Sequence, residues 1–361
     1  MRYNSKTLNT MGGEIMNINV GLIGYGYSGA TFHAPLINKV KGLILKAVAS
    51  SSDSKVKRDY PQVEVFSDVN VMLSHKEIDA VIITSPNTTH YEYAKQAITA
   101  GKHVVVEKPF TITSIEANEL IELAQKKGVL LTVFQSRRWD SDFLTIRELL
   151  NTKILGNLTT YEAHFDRFRP DVRDRWREKD IPGSGTLYDL GSHLIDQSLT
   201  LFGMPKTVWA DLRAEREGAE AVDYFHMVLG YKKMKVILQS GCLVRESGPR
   251  FILHGDRGSF IKYGLDCQEQ QLKTGMLPGN VGWGEDSLAD YGRLTADIGG
   301  ITIRGVIETL PGRYENFYES LVEAITVGTA LSVRAEEARD TIRIIEYAIK
   351  SHQKQKTIEV I

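Results

Sequence analysis

Two side chains able to move a proton lie four residues apart, Asp189 and His193. The apolar residues around them predict a helix over residues 187–202, where a spacing of four places both side chains on one face. A histidine titrates near neutral pH and can act as a general base, and a carboxylate one turn away can orient it. The alternative is a buried histidine with a structural hydrogen bond, which is the better interpretation when this pattern stands alone.

A third candidate is Lys108, within the tripeptide Glu107-Lys108-Pro109 that follows a predicted strand. Ligands of open α/β sheets bind beyond the carboxyl ends of the strands, so this position favours a functional side chain. An ammonium group there could donate to a substrate hydroxyl and stabilise alkoxide character. A surface lysine that merely follows a buried strand is the open alternative.

A glycine-rich turn follows the first predicted strand and precedes a predicted helix. It matches the pattern G-x-G-x-x-G through Gly24, Tyr25, Gly26, Tyr27, Ser28 and Gly29. Glycines in this context allow a tight turn and let backbone N–H groups approach a pyrophosphate. The turn therefore predicts dinucleotide binding, and glycines that serve only strand-to-helix packing are the alternative.

The end of the second predicted strand bears on the choice of nicotinamide cofactor. An acid at this place holds a free ribose 2′-hydroxyl and repels a 2′-phosphate. The chain has serines here, and Ser51 and Ser52 could donate to phosphate oxygens, which favours NADP. NAD is the alternative, because a shift of two residues in the strand boundary would make Asp53 the ribose ligand. The serines can also be explained as a polar turn.

These residues need a scaffold, and the hydrophobic pattern predicts one of two parts. Short β-branched runs alternate with helical patterns in the first part, which predicts a parallel sheet covered on both faces. These runs are residues 20–23, 43–49, 63–66, 80–83, 103–106 and 129–134. The fold class is therefore α/β, with an N-terminal Rossmann dinucleotide-binding domain.

After about residue 136, longer alternating segments without intervening helices predict an antiparallel sheet. They are residues 158–168, 222–229, 234–239 and 251–261, and helices are predicted at 187–202, 314–327 and 335–351. The second domain is thus α+β, built on a large, mostly antiparallel sheet. Residues 264–300 are Gly-rich and irregular, which predicts a surface excursion to which the sequence assigns no function.

The expected division of the chain has three parts: a disordered leader at 1–15, the dinucleotide-binding domain at 16–136, and a substrate-binding and oligomerisation domain at 137–361. The first fifteen residues lack the apolar core of a signal peptide. Because codons for Gly12-Gly13-Glu14 can form a purine-rich ribosome-binding site, Met16 is the hypothesised natural start. A short disordered extension that is truly translated is the alternative.

Composition restricts the class of protein. With 44 Lys and Arg against 45 Asp and Glu, the chain of 361 residues has no excess positive charge to neutralise nucleic acid. No stretch reaches the roughly 18 apolar residues of a membrane span. Cys242 and Cys267 are too few for a disulfide framework and have no zinc-ligand spacing, so we expect no metal and a reducing cytoplasm.

The three motifs together, in this order, resemble the Gfo/Idh/MocA family of oxidoreductases from residue 17 to the C-terminus. In that family the lysine and the histidine carry catalysis and the aspartate supports the histidine, which implies these roles for Lys108, His193 and Asp189. The lysine–proline bond is commonly cis there, so we expect Lys108–Pro109 to be cis. The implied reaction is hydride transfer between a nicotinamide cofactor and a secondary hydroxyl.

Four further segments resemble the NADP-dependent scyllo-inositol 2-dehydrogenases within the family: residues 32–36, 137–140, 167–170 and 175–178. This resemblance implies a cyclic polyol or sugar as substrate and a homodimer or homotetramer, while the composition already argues against nucleic acid and membrane as partners. It also implies cofactor contacts from Ser85, Pro86, Asn87, His90, Glu107, Lys108, Arg138 and Trp139. Related sequences can place an arginine at the end of the second strand, whereas this chain has serines.

Several fixed donors are needed to bind substrate hydroxyls. Besides Lys108, Asp189 and His193, the candidates are Tyr161, Arg169 and Trp176, from the segment before the predicted catalytic helix. Each could instead be structural, the arginine in a surface ion pair and the aromatic residues in a core. Two functions compete with the polyol enzyme: a non-catalytic NAD(P)-binding regulator of a sugar pathway, and an NAD-dependent sugar dehydrogenase of the same family.

Overall fold

The computed structural model describes residues 17–361, so the predicted leader and the hypothesised start at Met16 lie outside the described residues. A parallel six-stranded sheet forms first, in the order β3-β2-β1-β4-β5-β6. Its strands are β1 (Ile18–Ile23), β2 (Leu43–Ala49), β3 (Glu64–Phe66), β4 (Ala80–Ile83), β5 (His103–Val106) and β6 (Leu131–Val133). Every residue of β4 is buried, as the continuous apolar runs predicted for a sheet covered on both faces.

Helices connect these strands: α1 (Ala34–Lys39), α2 (Asp53–Asp59), α3 (Val69–Leu73), α4 (His90–Thr99) and α5 (Ser114–Lys127). The helix α5 shows how local sequence sets the boundaries. Thr113 and Glu116 form a capping box at its start, and Gly128 ends it in the left-handed conformation with φ of 67°. The predicted limits of this helix are therefore confirmed.

The second sheet has nine strands in the order β14-β13-β12-β11-β7-β10-β9-β8-β15. Only the pairing of β7 with β10 is parallel among these neighbours, so the predicted fold class is confirmed. Its strands are β7 (Leu158–His164), β8 (Thr207–Arg213), β9 (Tyr224–Gly230), β10 (Lys235–Gly241), β11 (Phe251–Gly255), β12 (Gly258–Lys262), β13 (Gly292–Ile298), β14 (Ile301–Ile307) and β15 (Ile358–Glu359). Its helices are α6 (Ser141–Thr152), α7 (Ser192–Phe202), α8 (Gln268–Lys273), α9 (Glu315–Thr326) and α10 (Ala335–Lys354).

Two expectations about this sheet are wrong. Residues 251–261 do not form one segment but the hairpin of β11 and β12. The supposed excursion at 264–300 contains α8 and β13, because Gly-rich connections between short elements obscure their periodicity. Strand β14 is exposed along nearly all its length, so it carries no alternation of buried and exposed residues.

The packing of the C-terminal helices crosses the predicted boundary at residue 136. Phe317, Tyr318 and Leu321 of α9 share a hydrophobic core with residues of β1 and α1. Helix α10 packs against α5, α7 and β8. Helices from the C-terminal end of the chain thus pack against both sheets. The domain boundary at 136/137 stays a prediction.

No helix within residues 17–361 is long and apolar enough to cross a membrane.

Candidate active site

A cavity of about 490 Å³ lies where the parallel sheet meets the second sheet. One wall comes from the carboxyl ends of β1, β4, β5 and β6, through residues that include Ser28, Ser85, Lys108 and Arg137. The opposite wall comes from the segment after β7 and from the start of α7. Eleven predicted site residues line the cavity: Tyr27, Ser28, Ser85, Asn87, His90, Glu107, Lys108, Arg169, Trp176, Asp189 and His193.

The glycine-rich turn beside this cavity fits a dinucleotide. A Cβ at Gly29 would lie 2.4 Å from the carbonyl oxygen of Gly24, so the turn closes only with glycine there. A Cβ at Gly26 would meet no atom within 4 Å, so the backbone at Gly26 faces open space that a ligand can approach. Tyr25 offers only its backbone, because its side chain is buried and donates to Asp59 Oδ2 at 2.9 Å.

The serines after β2 lie next to this turn, since Gly24 N–H donates to the Ala49 carbonyl oxygen at 2.9 Å. Ser51 is exposed and Ser52 is half-buried, and neither lines the cavity itself. Asp53 is the first residue of α2. The structure therefore brings the predicted 2′-phosphate site to the glycine turn.

Lys108 and Asp189 form an ion pair across the cavity. Lys108 Nζ donates to Asp189 Oδ1 at 3.0 Å and to the Asp189 carbonyl oxygen at 2.7 Å. Burial would raise the pKa of Asp189, but the positive charges of Lys108 and Arg177 hold it below its usual range. The Lys108–Pro109 bond is cis, which confirms that expectation. Asp189 is thus an ionised partner of the lysine.

The predicted pairing of Asp189 with His193 is wrong in this structure. Residues Leu187–Gly191 form a π-helical turn before α7, so the four-residue spacing does not act as it would on an α-helix. His193 lines the cavity, and its Nδ1 has no hydrogen-bond partner within residues 17–361. Burial and the positive charges of Lys108 and Arg137 lower the pKa of His193 well below its usual value. The imidazole is therefore neutral near pH 7 and able to accept a proton.

Glu107 anchors the backbone of the lysine. Its Oε2 accepts from the Lys108 N–H at 2.8 Å, and its Oε1 accepts from Ser28 Oγ and, at 3.0 Å, from His33 Nε2. His33 Nδ1 in turn accepts from the Tyr318 hydroxyl at 2.5 Å. Burial would raise the pKa of Glu107, but the His33 hydrogen bond and nearby charges lower it to about 2. Sequence reasoning missed His33 and Tyr318, because only the folded chain brings α9 to α1.

His90 and Asn87 shape the wall between the two sheets. Both ring nitrogens of His90 are within hydrogen-bond distance of backbone carbonyls, Nδ1 at 2.8 Å from Pro109 and Nε2 at 3.0 Å from Ser85. Asn87 Nδ2 donates to the Gly183 carbonyl at 2.5 Å, while its Oδ1 has no partner in the described chain. Asn87 Oδ1 is thus a buried acceptor without a partner among the described residues, whereas the His90 ring supports the backbone. Pro86 is exposed and does not line the cavity.

The predicted cofactor contacts of Arg138 and Trp139 are wrong. Arg138 donates to both carboxylate oxygens of Asp196, at 2.9 and 2.7 Å, and to Glu337 at 2.8 Å. Trp139 packs in a core with Phe317, at 6.1 Å between ring centroids. The cause is the 3₁₀ turn Ser136–Trp139, which directs these two side chains away from the cavity.

Arg137 lines the cavity in place of its neighbour, and sequence reasoning missed it. It contacts Glu269 of α8 at 2.9 Å and Asp140 at 3.2 Å. Glu269 also accepts from the Tyr27 hydroxyl at 3.0 Å and from Lys273 at 2.8 Å. The sequence signal for Arg137 was the pair of adjacent arginines after the sixth strand. Its partner Glu269 gave no signal, because the six-residue helix α8 is too short to show a helical period.

The expected substrate contact of Tyr161 is also wrong. Tyr161 is fully buried on β7 and packs against Phe202 and Phe251, with ring centroids 5.3 and 5.9 Å away. Alternation along a strand predicts two faces but does not say which face is covered. Arg169 and Trp176 do line the cavity, as expected.

The fold and this cavity define a class of protein. One family model, described as the oxidoreductase family's NAD-binding Rossmann fold, matches residues 18–135, and a second, its C-terminal alpha/beta domain, matches residues 147–360. The chain belongs to the Gfo/Idh/MocA family of oxidoreductases, which confirms the resemblance.

Particular relatives are similar over nearly the whole chain. It is 46% identical to scyllo-inositol 2-dehydrogenase (NADP(+)) IolW of Bacillus subtilis over 351 residues, 96% of each protein. It is also 46% identical to the uncharacterized oxidoreductase YdgJ of Escherichia coli, over 95% of this chain and 98% of YdgJ. The solved structure of yvaA from Bacillus subtilis superposes with a TM-score of 0.94 at 45% identity, covering 97% of this chain and 100% of yvaA.

Proposed function

We propose that the chain catalyses NADP-dependent hydride transfer at a secondary hydroxyl of a cyclic polyol or sugar, with scyllo-inositol and its ketone scyllo-inosose as the first pair to test. The observation that carries this proposal is the convergence of Lys108, Asp189 and His193 in one cavity beside the glycine-rich turn. The activity for which the Bacillus subtilis relative IolW is named, scyllo-inositol 2-dehydrogenase (NADP(+)), supports the choice of cofactor and polyol.

The proposed roles follow from the charge state of each group. The neutral imidazole of His193 accepts the proton of the substrate hydroxyl. Lys108 donates a hydrogen bond to the substrate oxygen as that atom gains negative charge, and the Asp189 carboxylate holds the ammonium in place. A bound nicotinamide supplies the hydride acceptor for this oxidation. In the reverse direction, the protonated His193 returns its proton to the oxygen of the ketone.

The residues proposed to hold the cofactor form two groups. The turn Gly24–Gly29 offers backbone N–H groups to the pyrophosphate, and Ser51 and Ser52 offer hydroxyl donors to a 2′-phosphate. On the cavity side, Ser85 and Asn87 line the wall that leads to Lys108.

The test of the activity is a panel of polyols and ketones assayed with NADP and NAD, followed at the absorbance of the reduced nicotinamide. We expect turnover of scyllo-inositol with NADP. His193→Ala is expected to lower turnover about 10²–10⁴-fold while cofactor affinity stays nearly intact. Tight cofactor binding without turnover of any polyol or ketone would contradict the proposal and favour a non-catalytic regulator.

The test of cofactor choice is Ser51→Asp. A carboxylate there repels a 2′-phosphate and accepts from a free ribose hydroxyl, so the preference is expected to change from NADP to NAD. The measurement is the ratio of kcat/KM for the two cofactors, with the neutral, similarly sized Ser51→Asn as the control. If Ser51→Asp leaves the ratio unmoved, another group near the turn sets the preference.

We also propose that the protein acts in the cytoplasm as a homodimer or homotetramer. The support is the family resemblance and the absence of any disulfide among the described residues, where Cys242 and Cys267 are both free. Light scattering during size-exclusion chromatography of the full chain would measure the oligomeric state, and a monomer would contradict this part of the proposal.

A further inference from the structure

The lining of the cavity is strongly cationic, although the whole chain has a formal net charge of −1. Eight lining residues are lysine or arginine, and three are aspartate or glutamate. Five of the eight cations lie on one short segment, residues 167–177. The excess of positive charge is therefore local, and it belongs to the wall opposite the glycine-rich turn.

Several of these cations already have carboxylate partners. Lys108 pairs with Asp189, Arg137 and Lys273 share Glu269, and Arg175 binds Glu178 at 2.7 Å. Of the three lining acids, Asp189 and Glu269 are taken by these pairs, and Glu107 accepts from Ser28 and His33.

The side chains of three lining arginines are left without a carboxylate or hydrogen-bond partner among the described residues. Within residues 17–361, the side chains of Arg167, Arg169 and Arg173 make no ion pair with a carboxylate and no hydrogen bond. Arg167 is also half-buried, and burial lowers its pKa. A guanidinium withdrawn from water without a hydrogen-bonded anion is costly, so this group is suited to bind an anion from outside the chain.

The position of Arg167 relates this charge to the reacting groups. Its guanidinium lies 5.0 Å from the centroid of the Phe165 ring, and the His193 ring lies 6.4 Å from the same centroid. Arg167 and His193 therefore flank one aromatic side chain on the same wall. Nearby, Arg177 approaches Asp189 at 3.8 Å, so the arginine segment borders the proposed site of proton transfer.

We propose that Arg167, Arg169 and Arg173 form an oxyanion subsite, so that the preferred substrates are acidic polyols or sugars. This inference rests on the proposed function and names its substrate class. The shared chemistry is a carboxylate or a phosphate monoester, either of which accepts paired hydrogen bonds from planar guanidinium groups. A neutral polyol binds the same cavity without using this subsite.

The experiment compares acidic and neutral substrates of closely matched ring structure in the full-length enzyme with NADP. D-glucuronate against D-glucose tests a carboxylate, and myo-inositol 1-phosphate against myo-inositol tests a phosphate ester. We expect kcat/KM of at least one acidic compound to exceed that of its neutral partner about 10-fold or more. Equal or better use of both neutral partners would overturn the proposal.

Variants identify which residues cause the preference. Arg167→Gln is expected to raise KM for the preferred acidic compound about 10- to 100-fold, with less than about a 3-fold change for its neutral partner and for the Kd of NADP. Arg167→Lys, which keeps the charge, is expected to recover part of the loss. Arg173→Gln is a second test at a more exposed position. A rise in the Kd of NADP without a change in the acid preference would show that these arginines bind cofactor phosphates, and would overturn the proposal.

Failure of the proposed function has a different signature. If none of the compounds is turned over, calorimetric titration of the NADP-bound protein with D-glucuronate and D-glucose still tests the subsite. Binding of the acid alone, lost in Arg167→Gln, supports the oxyanion subsite, and equal or absent binding overturns it.

Discussion

The ion pair between Lys108 and Asp189 gives a prediction that separates two roles for the aspartate. Replacement by asparagine, Asp189→Asn, keeps the size of the side chain and removes its charge. Lys108 Nζ then keeps the Asp189 backbone carbonyl at 2.7 Å and loses only the charged acceptor at 3.0 Å. If Asp189 positions the lysine, this change weakens the function of Lys108 and leaves that of His193 intact.

The size of the effect follows from the bond that changes. A hydrogen bond to a charged group contributes about 1.5–3 kcal/mol, and a neutral one about 0.5–1.5 kcal/mol. The loss of about 1–1.5 kcal/mol corresponds to about a 5- to 13-fold decrease in kcat/KM, because each 1.36 kcal/mol is a factor of ten. This is smaller than the about 10²–10³-fold loss expected for Lys108→Met, which removes the whole donor.

The assay is a pair of double-mutant cycles on kcat/KM with the best substrate of the polyol panel. Asp189→Asn is expected to have little further effect in Lys108→Met, since the group it positions is gone. In the second cycle, the separate decreases in kcat/KM caused by Asp189→Asn and by His193→Ala are expected to multiply. Melting temperatures of all variants control for folding. The opposite result would refute the assignment: Asp189→Asn would lower kcat/KM by its full factor in Lys108→Met but would have no further effect in His193→Ala. That result would restore the pairing of Asp189 with His193.

Three further predictions concern binding, stability and pH. Gly26→Ala is expected to keep the melting temperature but weaken NADP binding at least about 10-fold, measured by fluorescence titration, because its methyl group enters the open face of the turn. Arg138→Met is expected to lower the free energy of unfolding by about 3–5 kcal/mol in urea while the Kd of NADP changes less than about 3-fold, because the buried Asp196 carboxylate loses its partner. Because burial and nearby positive charges lower the pKa of His193, its imidazole is expected to become protonated only below pH 6.5. The decrease of kcat/KM for oxidation on the acid side is therefore expected below that pH.

Each of these has an outcome that contradicts it. Weaker folding of Gly26→Ala, as expected instead for Gly29→Ala with its 2.4 Å clash, would show that the space at Gly26 is filled in solution. Loss of NADP binding with unchanged stability in Arg138→Met would restore its role as a cofactor contact. An acid limb at or above pH 6.5 that disappears in His193→Ala would show that the histidine is not held neutral.

The first sheet and its glycine turn could be predicted from the sequence because their signals are local. Continuous apolar runs, the caps of α5 and the pattern at Gly24–Gly29 depend on residues within a few positions of one another. Lys108 and His193 were found for a related reason, since the first closely follows the end of a strand and the second lies in the first turn of a helix. Both ends face the same cavity once the sheets pack together.

The errors concern side-chain direction and partners distant in the chain. Arg137 and Arg138 are adjacent and chemically identical, and only the 3₁₀ turn decides that the first faces the cavity. Asp189 pairs with Lys108, 81 residues away, because a π-helical turn replaces regular helix. No periodicity encodes either arrangement, so a pattern of residue types could not have supplied them.

The contact between Tyr318 and His33 has a consequence for how the protein is made. Helix α9 completes the core around β1 and α1, and it belongs to the last fifty residues of the chain. A ribosome that adds about 5–20 residues per second needs roughly 10–40 s to travel from the end of the parallel sheet to the end of this helix. During that interval the nascent nucleotide-binding half has an uncovered apolar face, so we expect it to recruit chaperones, and a fragment that ends at residue 136 to aggregate when expressed alone.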